Sequence, residues 1–487
     1  MRRIRWLTLT TVFASILGGA PAAVAQARRP NVLIILCDDV GYGEFGFQGC
    51  KDIPTPNIDS IARNGVRFTQ GYNAATYCSP SRAGLLTGRY PTRFGHEFNS
   101  VAARMGLPTG ETTLADRLRS AGYATCAIGK WHLGGAPAYR PMRRGFDEFF
   151  GTLANTPYFR PAQFVDSRLG PDVREVEDPA FYTTEAYARR AVEWLDAHKD
   201  RPWFLYLPFN AQHNPLQAPR KYVDRFPQIA DERRRTFAAM MSALDDAVGQ
   251  VLQEVRRIGQ EDDTLIAFLS DNGGPTRNTT SSNGPLHGFK ATTWEGGIRV
   301  PFCMQWKGKL PAGKTYDSPI IQLDLVPTCL AAAGVAIDPA WKLDGVNLLP
   351  FLKGDRTDRP HETLFWRFGS QWAIRHGDWK LVVAREGTGK PELYDLAMDI
   401  GERHDLAGEQ PEKARELKRL WDRWNAEQAP PLVPERPVLE RAAAKKAVPR
   451  NAAKAAKRAE RRAARRAARR ESRTGEKSPS PGARAPE

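Results

Sequence analysis

The sequence predicts an α/β protein with a large, mostly parallel sheet flanked by helices, followed by a small C-terminal antiparallel subdomain. From residue 31 to about residue 355, apolar runs typical of buried strands alternate with helical patterns. That alternation is the pattern of a doubly wound sheet covered by helices on both faces. From about residue 356 the pattern changes to short strands joined by tight turns, which indicates antiparallel pairing.

Four apolar runs predict the buried strands of the large sheet. The first, Asn31–Cys37, shows no alternation of apolar and polar residues, so we expect both of its faces to be covered. Each run leads into a polar or glycine-containing segment, and open α/β sheets place their sites at the carboxyl ends of strands. The predicted strands span residues 31–37, 123–128, 202–209 and 264–269.

Helices are predicted where apolar residues recur three or four positions apart, as Tyr187, Ala191 and Leu195 do. In the C-terminal subdomain, two strand-like segments meet at the turn His376-Gly377-Asp378, which predicts a hairpin. The predicted helices span residues 55–65, 111–122, 183–198, 231–259 and 412–424; the hairpin strands span 372–376 and 379–383, and a further strand spans 392–396.

The pattern of residues 1–25 predicts a secretory signal peptide at the N-terminus. It carries three arginines, then an apolar run, then small residues up to Ala25, which are the features of such a signal. The apolar run is short for a membrane span, so a retained anchor is the weaker alternative. Cleavage near Ala25 predicts a secreted or periplasmic protein, and the pair Arg2-Arg3 leaves both Sec and twin-arginine export open.

The net charge of +16 is concentrated at the two ends of the chain. Residues 434–487 carry 17 Lys or Arg against six acidic residues, whereas the central body is close to neutral. A near-neutral body does not support a nucleic-acid-binding core. The tail is either a solvated, disordered segment or a tether to an anionic surface or polyanion. The predicted organisation is therefore 26–355 for the α/β domain, 356–430 for the subdomain and 431–487 for the basic tail.

Six scattered cysteines without a C-x-x-C pair do not form a disulfide framework in a chain of 487 residues. Cys37, Cys303 and Cys329 lie in apolar runs and are expected to be buried. Cys78 differs, because Ser79 and the residues after it are typical of a helix start. A thiol there is either a half-buried cysteine beside a turn or a reactive group in the positive field of a helix N-terminus.

Carboxylate and amide side chains follow two of the predicted strands. Asp38 and Asp39 come after the first strand, and Asp271 and Asn272 come after the fourth. Oxygen ligands of this kind suit a hard cation such as Ca²⁺ or Mg²⁺ rather than zinc. Each pair alone could equally be a helix cap or an ordinary turn.

Cations and histidines complete the candidate site. Arg82, Lys130 and Lys290 could bring positive charge to the same edge of the sheet. His132 and His213 each follow a predicted strand and are candidate acid or base groups, the alternative being surface or capped histidines. Together these residues point to group transfer from a sulfate or phosphate ester, driven mainly by electrostatic stabilisation. The remaining histidines have less favourable contexts: His96, His198, His287, His361, His376 and His404.

Two segments resemble the signatures of the type I sulfatases, members of the alkaline-phosphatase-like superfamily. Residues 78–82 are similar to the family's C-x-P-S-R core and are followed by Leu-Thr-Gly-Arg, and residues 129–134 match the second signature, G-K-W-H-L-G. The Asp38-Asp39, His213, Asp271-Asn272 and Lys290 segments follow in the family's chain order. The resemblance covers about residues 30–425 and implies a sulfuric ester hydrolase of the arylsulfatase-like kind.

The resemblance implies that a separate formylglycine-generating enzyme oxidises Cys78 to Cα-formylglycine, whose hydrate attacks sulfur. It also implies that His213 gives a proton to the leaving alcohol and that Lys290 contacts the sulfate. His132 would take a proton as sulfate is expelled, and Arg82 and Lys130 would orient and stabilise the hydrate. One Ca²⁺, with Mg²⁺ as the weaker alternative, would be held by Asp38, Asp39, Asp271, Asn272 and the modified Cys78.

The family's substrates imply a sulfated saccharide as the partner of this site, with aryl sulfates as generic substrates. Two alternatives stay open at this point: a phosphatase or phosphonate monoester hydrolase of the same superfamily, and a non-catalytic binder of sulfated polysaccharides. His287 stands where relatives often have an arginine, and the basic tail is not a family feature. The sugar, the sulfate position and endo or exo action depend on loops such as 153–164 and 276–285.

Overall fold

The computed structural model describes residues 29–434. The predicted signal peptide and nearly all of the predicted basic tail lie outside the described residues. Within residues 29–434 the chain forms a nine-stranded sheet, a two-stranded sheet and a four-stranded sheet. The strands are β1 Asn31–Cys37, β2 Val66–Phe68, β3 Gly71–Tyr72, β4 Ala124–Lys130, β5 Glu148–Thr152, β6 Phe164–Asp166, β7 Trp203–Pro208, β8 Thr264–Ser270, β9 Phe302–Gln305, β10 Lys314–Tyr316, β11 Ile320–Ile321, β12 Thr363–Phe368, β13 Gln371–His376, β14 Trp379–Val383 and β15 Glu392–Asp395.

Helices of very different length connect these strands. The longest, Glu232–Arg257, begins at Asp231, whose side chain accepts a hydrogen bond from the Arg234 backbone N–H and so caps the helix. The α-helices are α1 Pro56–Arg63, α2 Cys78–Thr87, α3 Asn99–Arg104, α4 Leu114–Ser120, α5 Thr183–Ala197, α6 Arg220–Val223, α7 Glu232–Arg257, α8 Thr276–Thr279, α9 Glu295–Ile298, α10 Leu325–Ala332, α11 Leu349–Lys353 and α12 Pro411–Ala426. Short 3₁₀ turns span Gly46–Gln48, Pro91–Phe94, Pro137–Tyr139, Pro141–Arg143, Ser167–Leu169, Gln322–Asp324 and Pro339–Trp341.

The large sheet is parallel in its centre and antiparallel near its edges. Its order is β10-β2-β9-β8-β1-β7-β4-β5-β6. The neighbours β8, β1, β7, β4 and β5 pair in parallel, whereas β9 and β6 pair with them antiparallel. This arrangement confirms the predicted mostly parallel sheet.

Side chains of β1 alternate between two cores, one on each face of the sheet. Leu33 and Ile35 pack into a core that includes residues of α1, α5 and α7. Val32 and Ile34 pack into the opposite core, with residues of α2, α4 and α10. Because each fully buried aliphatic side chain contributes about 1.5–3 kcal/mol, both faces of β1 stabilise the fold. An apolar run with no polar alternation is the sequence pattern that this requires.

The four-stranded sheet is antiparallel, in the order β12-β13-β14-β15. The predicted hairpin is confirmed, since His376 on β13 pairs with Trp379 on β14 across the turn. Trp421 and Trp424 of α12 pack in a core with this sheet. Residues of the large domain, among them Trp294 and Tyr72, belong to the same core, so the sheet is joined to the α/β domain by buried apolar contacts.

The cysteines lie as the sequence indicates. All six fall within the described residues and are unpaired. Cys37, Cys303 and Cys329 are buried, as predicted. Among the described helices, none combines the length and apolar character that crossing a bilayer requires.

Candidate active site

Polar side chains meet at one edge of the large sheet because four adjacent strands run parallel. β8, β1, β7 and β4 are neighbours in this order, so their carboxyl ends lie side by side. Asp38 and Asp39 follow β1, His213 follows β7, and Lys130 is the last residue of β4. The strand predicted over 123–128 is two residues longer at this end than expected, which places Lys130 within the strand.

Cys78 is the first residue of α2 and faces this edge. The helix ends at Gly88, whose φ of 71° is the left-handed conformation that glycine adopts at helix ends. The Cys78 side chain is fully buried, and its Sγ lies 3.4 Å from Asp38 Oδ1. Burial, and then the Asp271 and Asp38 carboxylates, raise the pKa of the thiol well above its usual value. The unmodified side chain is therefore a neutral thiol and a poor nucleophile.

Three carboxylates converge on Cys78. One ligand atom from each of Asp38, Asp39, Cys78 and Asp271 lies within 4.8 Å of the others. Asn272 donates from Nδ2 to Asp39 Oδ1 at 2.8 Å, while its Oδ1 is buried without a hydrogen-bond partner. Buried acceptors are normally satisfied, so this free oxygen beside three carboxylates fits a ligand for a hard cation.

Three cations lie against the carboxylates. Arg82 donates from Nε and Nη2 to Asp271 Oδ2 at 3.0 and 2.8 Å, and from Nη1 to the Lys130 carbonyl at 2.6 Å. The Lys130 ammonium pairs with Asp38. The Lys290 ammonium pairs with Asp39 and lies 3.2 Å from Cys78 Sγ. Both Arg82 donors converge on one oxygen of Asp271, and these charge-assisted bonds hold that carboxylate in place.

The charges balance within this cluster. Burial alone would raise the pKa of Asp38, but Lys130, His213 and Arg82 outweigh it and hold that pKa below its usual range. Burial and the Asp38 charge raise the pKa of Asp271 to about 6. Three carboxylates facing three cations are neutral in sum, so a divalent cation would give the site the positive charge that a sulfate ester needs.

The two candidate histidines approach the cluster from different strands. His213 Nε2 lies 3.7 Å from Asp39 Oδ2, and Nδ1 donates to the Asn214 carbonyl at 2.6 Å. Burial lowers the pKa of His213. His132 is buried with a free Nδ1, and burial followed by the Lys130 charge lowers its pKa. Both rings are therefore neutral near pH 7, and each keeps a nitrogen available for proton transfer.

Comparison with known families identifies the chain. The sequence profile of the Sulfatase family matches residues 30–335, and one described as N-sulphoglucosamine sulphohydrolase, C-terminal, matches residues 287–429. The chain belongs to the sulfatase family. It is accordingly a sulfuric ester hydrolase of the alkaline-phosphatase-like superfamily, as the two signatures imply.

Named relatives agree with this assignment. The sulfatase is 33% identical to human arylsulfatase A over 83% of this chain and 90% of the relative. It is 31% identical to canine N-acetylgalactosamine-6-sulfatase over 85% and 88%. The crystal structure of Ps i-CgsB in complex with k-i-k-neocarrahexaose superposes with a TM-score of 0.77 at 33% identity, covering 87% of this chain and 98% of that one. Phosphonate monoester hydrolase of Agrobacterium radiobacter, at 22% identity and a TM-score of 0.61, shares the fold.

The structure of the sulfatase adds residues that the sequence analysis missed. Ser79 Oγ lies 2.6 Å from His96 Nε2, and the Ser79 backbone N–H donates to Asn99 Oδ1 at 2.9 Å. These contacts fix the first turn of α2, on which Cys78 lies. The Tyr77 ring contacts Lys290, whose ammonium lies over the ring at 5.3 Å from its centroid. Only the position of Tyr77 beside Cys78 could have indicated this from the sequence.

Proposed function

We propose that this sulfatase is secreted or periplasmic and removes sulfate from sulfated carbohydrates, using Cα-formylglycine made from Cys78 and one bound Ca²⁺. The observation that carries the proposal is the buried convergence of Asp38, Asp39, Asp271 and Asn272 on Cys78. A fully buried thiol with a raised pKa is a poor nucleophile in its own right but is well placed as the precursor of one.

The proposed substrate class is supported by the relatives. One is named N-acetylgalactosamine-6-sulfatase, and one solved neighbour is in complex with k-i-k-neocarrahexaose. The net positive charge that a divalent cation would give the cluster suits an anionic ester. Aryl sulfates would act as generic substrates, because the cluster recognises the sulfate group rather than the alcohol.

The residues that would hold the cation are Asp38, Asp39, Asp271 and Asn272, together with the modified Cys78. Oxygen donors from two loops, with no histidine among them, favour Ca²⁺ over zinc, and over Mg²⁺, which demands a stricter octahedral geometry. When bound, the cation would supply Lewis-acid stabilisation of negative charge. Formylglycine would supply an oxygen nucleophile in place of the thiol.

Each side chain of the site would then have a separate role in the reaction. Lys290, beside Cys78 Sγ, would hold a sulfate oxygen, and Arg82 would keep Asp271 in place. His213, with 22% of its side chain exposed, faces the cluster from the open side. Once Nε2 has bound a proton, a form that the nearby Asp39 carboxylate favours, it would pass that proton to the leaving alcohol. His132, deeper in the site, would accept a proton at its free Nδ1 as sulfate leaves, and Lys130 would stabilise the nucleophile.

Two partners besides the saccharide belong to this proposal: a formylglycine-generating enzyme would act on the Cys78 motif, and the basic tail would contact an anionic surface or polyanion. The signal peptide would be cleaved near Ala25 as the chain is exported. High salt should weaken the tail contact, because exposed charges are screened within about 8–10 Å.

Parallel assays with an aryl sulfate and the matching aryl phosphate test the proposed function. We expect sulfate turnover to dominate, to fall on chelation and to return with Ca²⁺. A panel of defined sulfated saccharides then identifies the sugar. Dominant phosphate turnover, or full activity after complete metal removal, would contradict the proposal.

A further inference from the structure

Lys290 lies on a segment that is hydrogen-bonded to the C-terminal sheet on the side away from the site. We define this Lys290 segment as residues 287–298, between β8 and β9. On its inner side it is attached to the site, since the Lys290 N–H donates to the Gly274 carbonyl at 3.3 Å and the Ala291 N–H donates to the Thr76 carbonyl at 3.1 Å. These two bonds tie the segment to the loop after β8 and to the approach to Cys78.

Gln371, the first residue of β13, forms a hydrogen bond with the outer side of the Lys290 segment, at the residue next to Lys290. Its Nε2 donates to the Ala291 carbonyl at 3.1 Å, and its Oε1 accepts from the Arg385 N–H at 2.7 Å. The side chain is buried, so both ends of the amide are committed in a water-poor environment. A buried amide with both ends bonded holds two backbone segments, here at Ala291 and Arg385, at a fixed separation.

Other contacts anchor the segment farther from Lys290. Thr293 Oγ1 donates to the Val383 carbonyl at 3.1 Å, and Trp294 Nε1 donates to the Arg385 carbonyl at 3.2 Å. Gln371 is distinguished from these anchors by its place, because its bond reaches the residue directly after Lys290.

We infer that Gln371 is a positioning residue for Lys290, so that the C-terminal sheet sets the geometry of the catalytic centre. The inference rests on the proposed role of Lys290 as a sulfate ligand. Without the Gln371 bond, the Ala291 carbonyl loses its outer support and the Lys290 ammonium can move relative to Cys78. A displacement of about 1 Å at a catalytic group can reduce the rate by about 100-fold.

A double-mutant cycle with Gln371→Met and Lys290→Met tests the inference on aryl sulfate turnover. Methionine keeps the length of glutamine and removes both hydrogen bonds. We expect Gln371→Met to lower kcat/KM by roughly 10-fold in the otherwise unchanged enzyme and by less than about 2-fold in the Lys290→Met background. Independent residues would give equal losses in both backgrounds, so such non-additivity shows that the two residues are coupled.

Two further variants separate positioning from general loosening. Thr363→Val removes a side-chain contact with His376 Nδ1 (2.8 Å) within the same sheet and should leave kcat/KM within about 2-fold. Gln371→Glu keeps the acceptor for the Arg385 N–H and, when ionised, lacks the donor for Ala291, so it should resemble Gln371→Met. Equal losses from Gln371→Met in both backgrounds, or no loss from either Gln371 variant, would overturn the inference.

The affinity for inorganic sulfate gives a readout that does not need turnover. In protein with unmodified Cys78, calorimetry should show sulfate affinity reduced by Gln371→Met when Lys290 is present and unchanged when it is absent. If the enzyme fails to release sulfate from any ester but this cycle is non-additive, the proposed function fails and the positioning role stands. An additive cycle for sulfate binding would contradict the positioning role.

Discussion

Residues 29–434 include two buried ionic clusters that are similar in composition but differ in the polar atoms that they leave without a partner. The site cluster lies at the carboxyl edge of the large sheet and consists of Asp38, Asp39, Asp271, Arg82, Lys130 and Lys290. The subdomain cluster joins the α/β domain to the C-terminal sheet and consists of Glu295, Lys380 and Glu402. Both clusters take charged groups out of water, which is costly unless those groups are paired.

Each charged group of the subdomain cluster has an ionic partner within the cluster. The Lys380 ammonium lies 2.9 Å from Glu295 Oε1 and 2.7 Å from Glu402 Oε1, and Tyr72 donates to Glu295 Oε2 at 2.6 Å. Burial raises the pKa of Glu402 to about 7, against the opposing effect of Lys380. Glu402 can therefore remain protonated near neutrality, and the three groups need no further ligand.

The site cluster is open by contrast. Asn272 Oδ1 and His132 Nδ1 are buried without a hydrogen-bond partner, and the Cys78 thiol lies at its centre. Buried charge by itself therefore does not indicate catalysis. Glu402 Oε1 also lacks a hydrogen bond, but it is ion-paired with Lys380. A buried acceptor with neither a hydrogen bond nor an ion pair, such as Asn272 Oδ1, distinguishes the site that binds a ligand from the cluster that holds two domains together.

Replacing Cys78 should produce the largest difference between activity and stability. Cys78→Ala should abolish aryl sulfate turnover, a loss of at least about 10⁴-fold, because nucleophile removal costs this much or more in hydrolases. Its matched control is Cys303→Ala, another buried cysteine. That variant should keep its activity and lose about 1 kcal/mol or more of unfolding free energy through a core cavity. Activity that survives Cys78→Ala would remove Cys78 from the chemistry.

Replacing one lysine in each cluster should show directly that the site cluster mainly affects activity and the subdomain cluster mainly affects stability. Lys290→Met should lower kcat/KM by about 10²–10³, the cost of losing one stabiliser of transition-state charge. Its loss of unfolding free energy should be the smaller of the two, because Asp39 keeps its hydrogen bond from Asn272. Lys380→Met removes the cation paired with buried Glu402 and leaves Glu295 with Arg299 alone, so it should cost about 3–5 kcal/mol of unfolding free energy. Urea denaturation and steady-state kinetics on both variants make the comparison. Equal effects on stability would show that the clusters do not differ as described.

A neutral histidine beside the site cluster gives a smaller, pH-dependent effect. Burial lowers the pKa of His96 to about 3, whereas an unfolded histidine has a pKa near about 6.5. Because only the unfolded chain binds the proton between these values, the unfolding free energy should fall as the pH drops through this range. From pH 6.5 to 4.5 the loss should be roughly 2–3 kcal/mol, and His96→Gln should remove it. Parallel pH curves for the two proteins would contradict this account.

Much of the fold could be predicted from local pattern. The strand Asn31–Cys37 and the helix Glu232–Arg257 follow directly from a long apolar run and a long helical period. The strands Glu148–Thr152 and Phe164–Asp166 were missed, because each is short and mixes glycine or acidic residues with aromatics. Their conformation depends on pairing with β4 and with each other, which a local pattern does not show.

The candidate site divides in the same way. Asp38, Lys130 and Asp271 could be singled out because each stands at or just after the end of a strand. Gln371 and His96 could not, because the residues they contact lie 80 and 17 positions away, beyond the reach of a local pattern. The sequence around Gln371 shows no pattern that indicates its hydrogen bond to Ala291, 80 positions away. Supporting contacts of this kind depend on tertiary packing and were found only in the structure.

The most direct test compares preparations with different extents of Cys78 conversion. Peptide mass spectrometry across Cys78 gives the fraction converted to formylglycine, and sulfate release from an aryl sulfate gives the turnover of the same samples. The account predicts that turnover rises in proportion to the converted fraction and vanishes when it is zero. Full turnover in protein that carries only unmodified Cys78 would contradict the proposed nucleophile and the mechanism built on it.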